Sequence, residues 1–204
     1  MRVAALLAPA LLLLAAPAAV PAQGQQPAAA AELPRAGAYK LDRSHAKLLW
    51  STTHFGFSTY TGQFTGFDMQ LSLDPARPER SNLTATIDMN SVDTRDPRLD
   101  AHLKNADFFE TAKYGQATFR STRVQPTGAN TVRVMGDLTM RGVTKPLTLD
   151  VRFNRAGNNP VSKSYTIGFD AEGVVKRSLW GVNYGVPAVG DDVRLQFSGE
   201  FNPA

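Results

Sequence analysis

The 204-residue sequence contains no cysteine, only three histidines and only two tryptophans. Without cysteine there is no thiol catalysis, no haem attached through cysteine and no iron–sulfur cluster. No disulfide supports the fold either, so an exported domain of this kind stands on its hydrophobic core alone. The histidines, His45, His54 and His102, are scattered, with no HExxH or similarly tight spacing. A zinc site needs three or four converging ligands, so no metal and no cofactor are expected. The plainer reading is histidines that hydrogen-bond to hold structure. A meeting of His54 and His102 near Asp100 or Asp107, or a contact from either to a polar ligand head, is the sharper one.

Other signatures are missing as well. There is no GxSxG, and Ser44-His45 is adjacency rather than a triad. Gly136-Asp137 and Gly142 precede no helix, so they form no phosphate loop. Asp191-Asp192 reads as a turn, not as an acid–base pair. Together these absences lead us to expect no catalytic residues and no enzyme. The alternative carried forward is an exported metal-dependent or histidine-dependent enzyme. The 22 basic and 18 acidic residues are scattered singly, with no arm suited to nucleic acid. The net charge of +4 reads as a solvated surface, with weak attraction to anionic membranes among its consequences.

One long apolar run exists, Val3 to Ala16, behind the basic start Met1-Arg2 and ahead of Val20-Pro21-Ala22. It is short of the about 20 apolar residues that span a bilayer and has the form of a secretory signal peptide. Cleavage is expected after Ala22. There is no twin arginine and no lipid-anchoring cysteine. Residues 1–22 are therefore assigned to a signal peptide. Residues 23–36, rich in Gln, Ala and Pro, read as a disordered linker, and residues 37–204 as the folded domain. The mature protein is expected to be exported and soluble.

What is present in the domain is alternation. Leu147, Leu149, Val151 and Phe153 are apolar, and Thr148, Asp150, Arg152 and Asn154 between them are polar. A period of two puts one face in a dry interior and the other in water. Val132, Val134, Leu138 and Met140 do the same across a turn at Arg141-Gly142, which makes a long hairpin with one apolar face. Shorter runs repeat the pattern: Leu48 and Trp50; Phe67, Met69, Leu71 and Leu73; Leu83, Ala85, Ile87 and Met89; Tyr165, Ile167 and Phe169; Val193, Leu195, Phe197 and Phe201. The strand starting at Tyr39 is expected to end at Asp42-Arg43-Ser44-His45, and a new one to start at Ala46. The apolar phase changes between Phe64 and Phe67, at Gly66, as at a bulge. Asp96 as a cap, Pro97 at the first position, and Leu99, Leu103 and Ala106 on one face predict a short helix over 96–106. A loop is expected over Val174 to Pro187. Eight or nine such strands predict an all-β fold, which can close into a barrel or stack as a sandwich. Strand length and the phase change at Gly66 favour an antiparallel eight-stranded barrel with one short helical insertion.

Several stretches then fall into a familiar order: His54-Phe55-Gly56-Phe57-Ser58 with Gly62-Gln63-Phe64; Ser91-Val92-Asp93-Thr94; Asp100-Ala101-His102-Leu103 with Asp107-Phe108-Phe109; and, most specific, Gly136-Asp137-Leu138-Thr139-Met140-Arg141-Gly142-Val143-Thr144-Lys145-Pro146. From about Tyr39 to Phe201 this set resembles the polyisoprenoid-binding family of YceI-like proteins. The resemblance implies a lipocalin-like barrel, periplasmic, carrying a long isoprenoid amphiphile such as a quinone or polyprenyl compound in an internal pore. Two departures stand out. Leu99 separates Arg98 from Asp100, and Arg177-Ser178-Leu179-Trp180-Gly181 replaces the family's Arg-Ser-Asp-Phe-Gly.

On this reading the tail runs past Trp50, Phe64, Phe67, Ala85, Phe119, Phe153 and Phe169. The head lies near His54, Phe57, Phe108 or Trp180, where loop and helix would form the mouth. Without the resemblance, the same aromatic residues would be read as core filling. The partner expected is an isoprenoid lipid or quinone, and no nucleic acid. Transient contact with a membrane surface and a dimeric state are left open.

Overall fold

The computed structural model describes residues 33–204. The signal peptide expected over residues 1–22, and the linker as far as residue 32, lie outside the described residues. The linker's last residues, 33–36, are held in place. The Tyr165 hydroxyl donates to the Leu33 carbonyl at 3.4 Å and accepts from the Arg35 N–H at 3.0 Å. The Tyr39 hydroxyl donates to the Arg35 carbonyl at 2.8 Å. The Arg35 guanidinium lies 4.1 Å from the centre of the Tyr165 ring, a distance at which the cation is attracted to the ring face.

The strands are β1 (Gly37–His54), β2 (Ser58–Phe64), β3 (Phe67–Leu73), β4 (Asn82–Asp88), β5 (Val92–Asp93), β6 (Gln116–Pro126), β7 (Thr131–Met140), β8 (Val143–Asn158), β9 (Tyr165–Lys176) and β10 (Asp192–Pro203). Around the sheet β1 is followed by β3, β4, β6, β7, β8, β9 and β10, and β10 pairs back onto β1. This is the closed, eight-stranded antiparallel barrel that the alternation predicts. Closure gives each of these eight strands a partner on both sides. At one end β2 extends the sheet along β1, and β5 pairs with β2.

Four irregularities curl the sheet, and one was legible as a change of phase. β2 stops at Phe64 and β3 starts at Phe67. Thr65 and Gly66 between them bond to the turn that follows β4: Thr65 N–H to the Ser91 carbonyl at 3.1 Å, and Asp88 N–H to the Gly66 carbonyl at 2.8 Å. The expected break at Arg43 to His45 is instead a bulge inside β1, because pairing with β10 slips between Asp42 and Ala46. The three extra residues move the inward phase from Tyr39 and Leu41 to Ala46, Leu48 and Trp50, all of them buried. β6 slips between Ser121 and Arg123, and β8 between Phe153 and Arg155. Each slip switches the inward set by one residue, to Val124 and to Ala156, both buried.

The helix α1 (Pro97–Lys104) starts as predicted. The Asp96 carboxylate accepts from the N–H groups of Arg98 and Leu99. It stops two residues early, and Ala106, expected on its buried face, is exposed. Leu103 is buried and Leu99 packs against the core. Replacing Leu103 by aspartate buries a charge with no partner, and we expect a loss of a few kcal/mol. An unchanged melting temperature would show that α1 is not packed as described. β9 also runs further than expected, to Lys176, into the stretch read as loop.

Candidate functional site

The two ends of the barrel are built differently. At the end where β1 finishes and β6 starts, α1, the loop 105–115 and the 3-10 turn Arg177–Trp180 close it. Trp180 is 2% exposed, and its indole N–H donates to the Leu138 carbonyl at 3.1 Å. Phe109 packs on Phe64 at 5.9 Å between ring centres. Two arginines tie this cap together by saturating backbone carbonyls. Arg177, 6% exposed, donates to Gly190, Val182, Tyr184 and Val189. Arg141, in the β7–β8 turn, donates to Gly181 and to Ala106, and lies 3.5 Å from the Glu110 carboxylate. Burial pushes the Arg177 pKa down, while the carboxylate of Asp191 works the other way. Arginine suits both positions because its fork of donors serves several acceptors at once.

The opposite end, where residues 33–36 enter, opens into a cavity of about 320 Å³. Its wall is apolar, formed by Leu48, Met69, Ala85, Ile87, Phe119, Val134, Leu138, Leu147 and Leu149. A line of rings follows on one side. Phe153 meets Phe169 at 5.6 Å, Phe169 meets Phe201 at 6.0 Å, and Phe201 meets Phe197 at 6.1 Å. Polar groups appear only towards the mouth, at Ser81, Asn82, Asn130 and Thr131, with Leu33, Pro34 and Pro126 beside them. A glycine makes room for one wall residue. A Cβ at Gly136 would lie 2.5 Å from the Phe119 ring, so only glycine on β7 lets that ring lie across it. A second depression, of about 510 Å³, is lined in part by Lys47, Arg152, Glu172 and Gln196. Its charged lining suits no apolar chain.

The predicted site residues separate between the two ends. Ala85, Phe119, Phe153 and Phe169 line the cavity. Phe67 is buried and meets Phe197 edge-on at 6.3 Å, just behind the lining. Trp50, Phe64 and Trp180 belong to the packed, closed end. The ring of Trp50 fits there because position 62 is glycine; a Cβ would lie 2.3 Å from it. His54 is exposed beside Phe55, and Phe57 is 91% exposed at the tip of the β1–β2 turn. Phe108 lies in a cluster with His102 and Tyr184, at 4.9 Å and 5.3 Å. The structure thus places the opening away from Phe57, Phe108 and Trp180, where the sequence reading had put a mouth. Leu71, Leu83, Val132, Val151, Leu195 and Phe197, which that reading had not singled out, line the cavity. Their alternating phase marked them as inward, but not as near the open end.

The histidines do not assemble as a metal centre around α1. His102 Nε2 lies 3.0 Å from Asp107. His45 instead sits on the β1 bulge, where its Nδ1 is 2.9 Å from Asp42, and Glu200 is the residue paired with Asp42 across the sheet. Among the described residues these three are grouped closely enough to share an ion. Spacing hid this, because Glu200 is far away in sequence. Hydrogen bonds from Ser44 and His45 hold the Asp42 carboxyl at about 2, and the bond to Asp42 raises the His45 pKa above its usual 6.5. The depressed Asp42 contributes stability above its unfolded value, about 3.9, and loses it as pH falls through about 2. The raised His45 contributes below about 6.5 and loses it as pH rises through its folded value. The pair therefore helps most between about pH 4 and 6.5. An NMR titration should place His45 above 6.5, and Asp42→Asn should bring it back; a parent midpoint at the ordinary value would contradict the pairing.

With this geometry established, comparison with known proteins is direct. The YceI-like domain matches residues 39–201. The chain belongs to the YceI-like family. Protein YceI of Escherichia coli O17:K52:H18 is 37% identical over 164 residues, covering 79% of this chain and 85% of that protein. The crystal structure of Burkholderia cenocepacia BcnA superposes with a TM-score of 0.72 at 28% identity, covering 78% of this chain and 98% of BcnA. A polyisoprenoid-binding domain from Saccharophagus degradans, implicated in plant cell wall breakdown, shares the fold with a TM-score of 0.64 at 18% identity, covering 81% of this chain and 98% of the domain. The YceI-like barrel places these relatives and the present chain in one architecture.

Proposed function

We propose that this protein is a periplasmic binding or carrier protein. It holds the tail of an isoprenoid amphiphile, a quinone or a polyprenyl compound, inside the barrel and does no chemistry on it. The observation that carries this reading is the cavity: apolar to its floor, closed at one end, and polar only at the rim. A head group would meet Ser81, Asn82, Asn130 and Thr131, while the tail points towards Leu48 and Leu138. The polyisoprenoid-binding domain among the structural neighbours supports the same class of ligand.

Size sets how much tail is enclosed. An apolar cavity of about 150 Å³ accepts benzene, six carbons. The present one is about 320 Å³, so it encloses on the order of 12 carbons, between two and three five-carbon units. At about 0.8 kcal/mol per buried methylene, each unit is worth roughly 3–4 kcal/mol before the costs of ordering.

Mass spectrometry of organic extracts should find an isoprenoid with the purified protein. Binding of prenyl alcohols of graded length should strengthen steeply up to about three units and then level off. Absence of lipid from extracts, together with no binding at any length, would make the interior an ordinary core and end this reading.

A further inference from the structure

The rim of the cavity combines the mouth with two unusual features. Two of the most exposed aliphatic side chains described are there: Leu33, 82% exposed, on the chain that enters the barrel, and Val161, 88% exposed, in the β8–β9 turn. Tyr165, whose hydroxyl bonds to the Leu33 carbonyl, starts the strand that leaves the β8–β9 turn, so both tips belong to one end. Exposed aliphatic residues on separate turns at a cavity mouth lie where a solvent-facing rim would ordinarily be polar.

Charge is the second feature. The segments that form this end, 33–40, 74–82, 126–131, 154–164 and 201–204, carry the basic residues Lys40, Arg77, Arg80, Arg155 and Lys163 against the acidic Asp74 and Glu79, while Arg35 lies over the Tyr165 ring. Arg77 is paired with Asp74 at 3.1 Å. At the closed end, over 88–113, 137–145 and 176–192, nine acidic residues stand against eight basic ones. Ion pairs there include Arg141 with Glu110, and Lys176 with Asp191 and Asp192. The excess positive charge therefore sits at the mouth end.

We propose that this rim docks on an anionic lipid bilayer, with Leu33 and Val161 entering the interface and the rim cations facing lipid phosphates. The inference rests on the carrier reading above. A mouth pressed to the bilayer lets an apolar tail pass from membrane to cavity without crossing water, where each exposed methylene costs free energy. Apolar insertion combined with basic side chains is the usual way a soluble surface binds an anionic membrane, and each cation near such a surface is worth about fivefold in partitioning.

The test uses the purified protein and vesicles free of isoprenoid, made of phosphatidylcholine with phosphatidylglycerol or of phosphatidylcholine alone. Cosedimentation should show binding to the anionic vesicles, weakened by high salt. Leu33→Asp combined with Val161→Asp should weaken it at least about tenfold. Arg80→Glu combined with Lys163→Glu should weaken it similarly, by charge alone, and leave binding of a soluble prenyl alcohol unchanged, since neither residue lines the cavity. Phe57→Asp, at the opposite end, should change nothing. Equal binding to both vesicle types, loss of binding in Phe57→Asp alone, or no vesicle binding by the parent would overturn the proposal. If the parent fails to bind vesicles yet still binds prenyl alcohols, the docking surface falls and the carrier reading stands. Docking without prenyl binding would mean the reverse.

Discussion

Ala85→Trp should abolish tail binding while leaving the barrel folded. Ala85 is 6% exposed, lies midway along β4 and faces the cavity across from Phe119, its cross-strand partner on β6. An indole at this position occupies the space that the tail would fill. Displacing six ligand carbons costs about 5 kcal/mol at 0.8 kcal/mol per methylene, a loss on the order of several thousandfold in affinity. Because the added ring enters existing space, the melting temperature should hold or rise. Thr148→Lys, exposed on the outer face of β8, should bind as the parent does. Isothermal titration with a prenyl alcohol of three units, alongside thermal unfolding, measures both. An Ala85→Trp protein that binds like the parent would place the ligand elsewhere.

Arg177→Met should give the largest loss of stability of any single change considered. The guanidinium is buried and bonds to four carbonyls, those of Val182, Tyr184, Val189 and Gly190, at 2.8–3.0 Å. These carbonyls belong to the loop that returns the chain from β9 to β10. Methionine replaces the stem but supplies no donor. Bonds from a charged donor are worth about 1.5–3 kcal/mol each, and water reaching the outer part of the loop recovers some of them. A net cost of about 3–5 kcal/mol follows, which for a domain of this size lowers the melting temperature by roughly 10 °C or more. Lysine should rescue little, because a compact ammonium cannot span four acceptors. Hydrogen exchange should quicken over 181–191 first. A shift of under about 2 °C would mean that water replaces the guanidinium freely.

Alternation along the strands, with their length and the change of phase at Gly66, was enough to predict the barrel and the inward side chains of each regularly paired stretch, because a period of two assigns each residue to one face wherever the chain is paired. Asp96 and Pro97 likewise marked the start of α1, since capping is a local matter of one carboxylate and two N–H groups. The family resemblance was legible for the same reason: its motifs lie at turns and caps, where short-range geometry constrains the residue type.

Only the tertiary structure decided which end of the barrel is open. Phe64, Trp50 and Phe119 all read as inward, and position along the axis depends on where the ten strands stagger and where α1 and the Arg177–Trp180 turn come to rest. The bulges at Arg43 to His45, near Thr122 and at Asn154 also emerged only on pairing, because an extra residue is defined relative to a partner strand that is distant in sequence. The burial of Arg177 was invisible for a related reason. An arginine is ordinarily exposed, and only a loop folding its carbonyls around the guanidinium turns it into the fastening of the closed end.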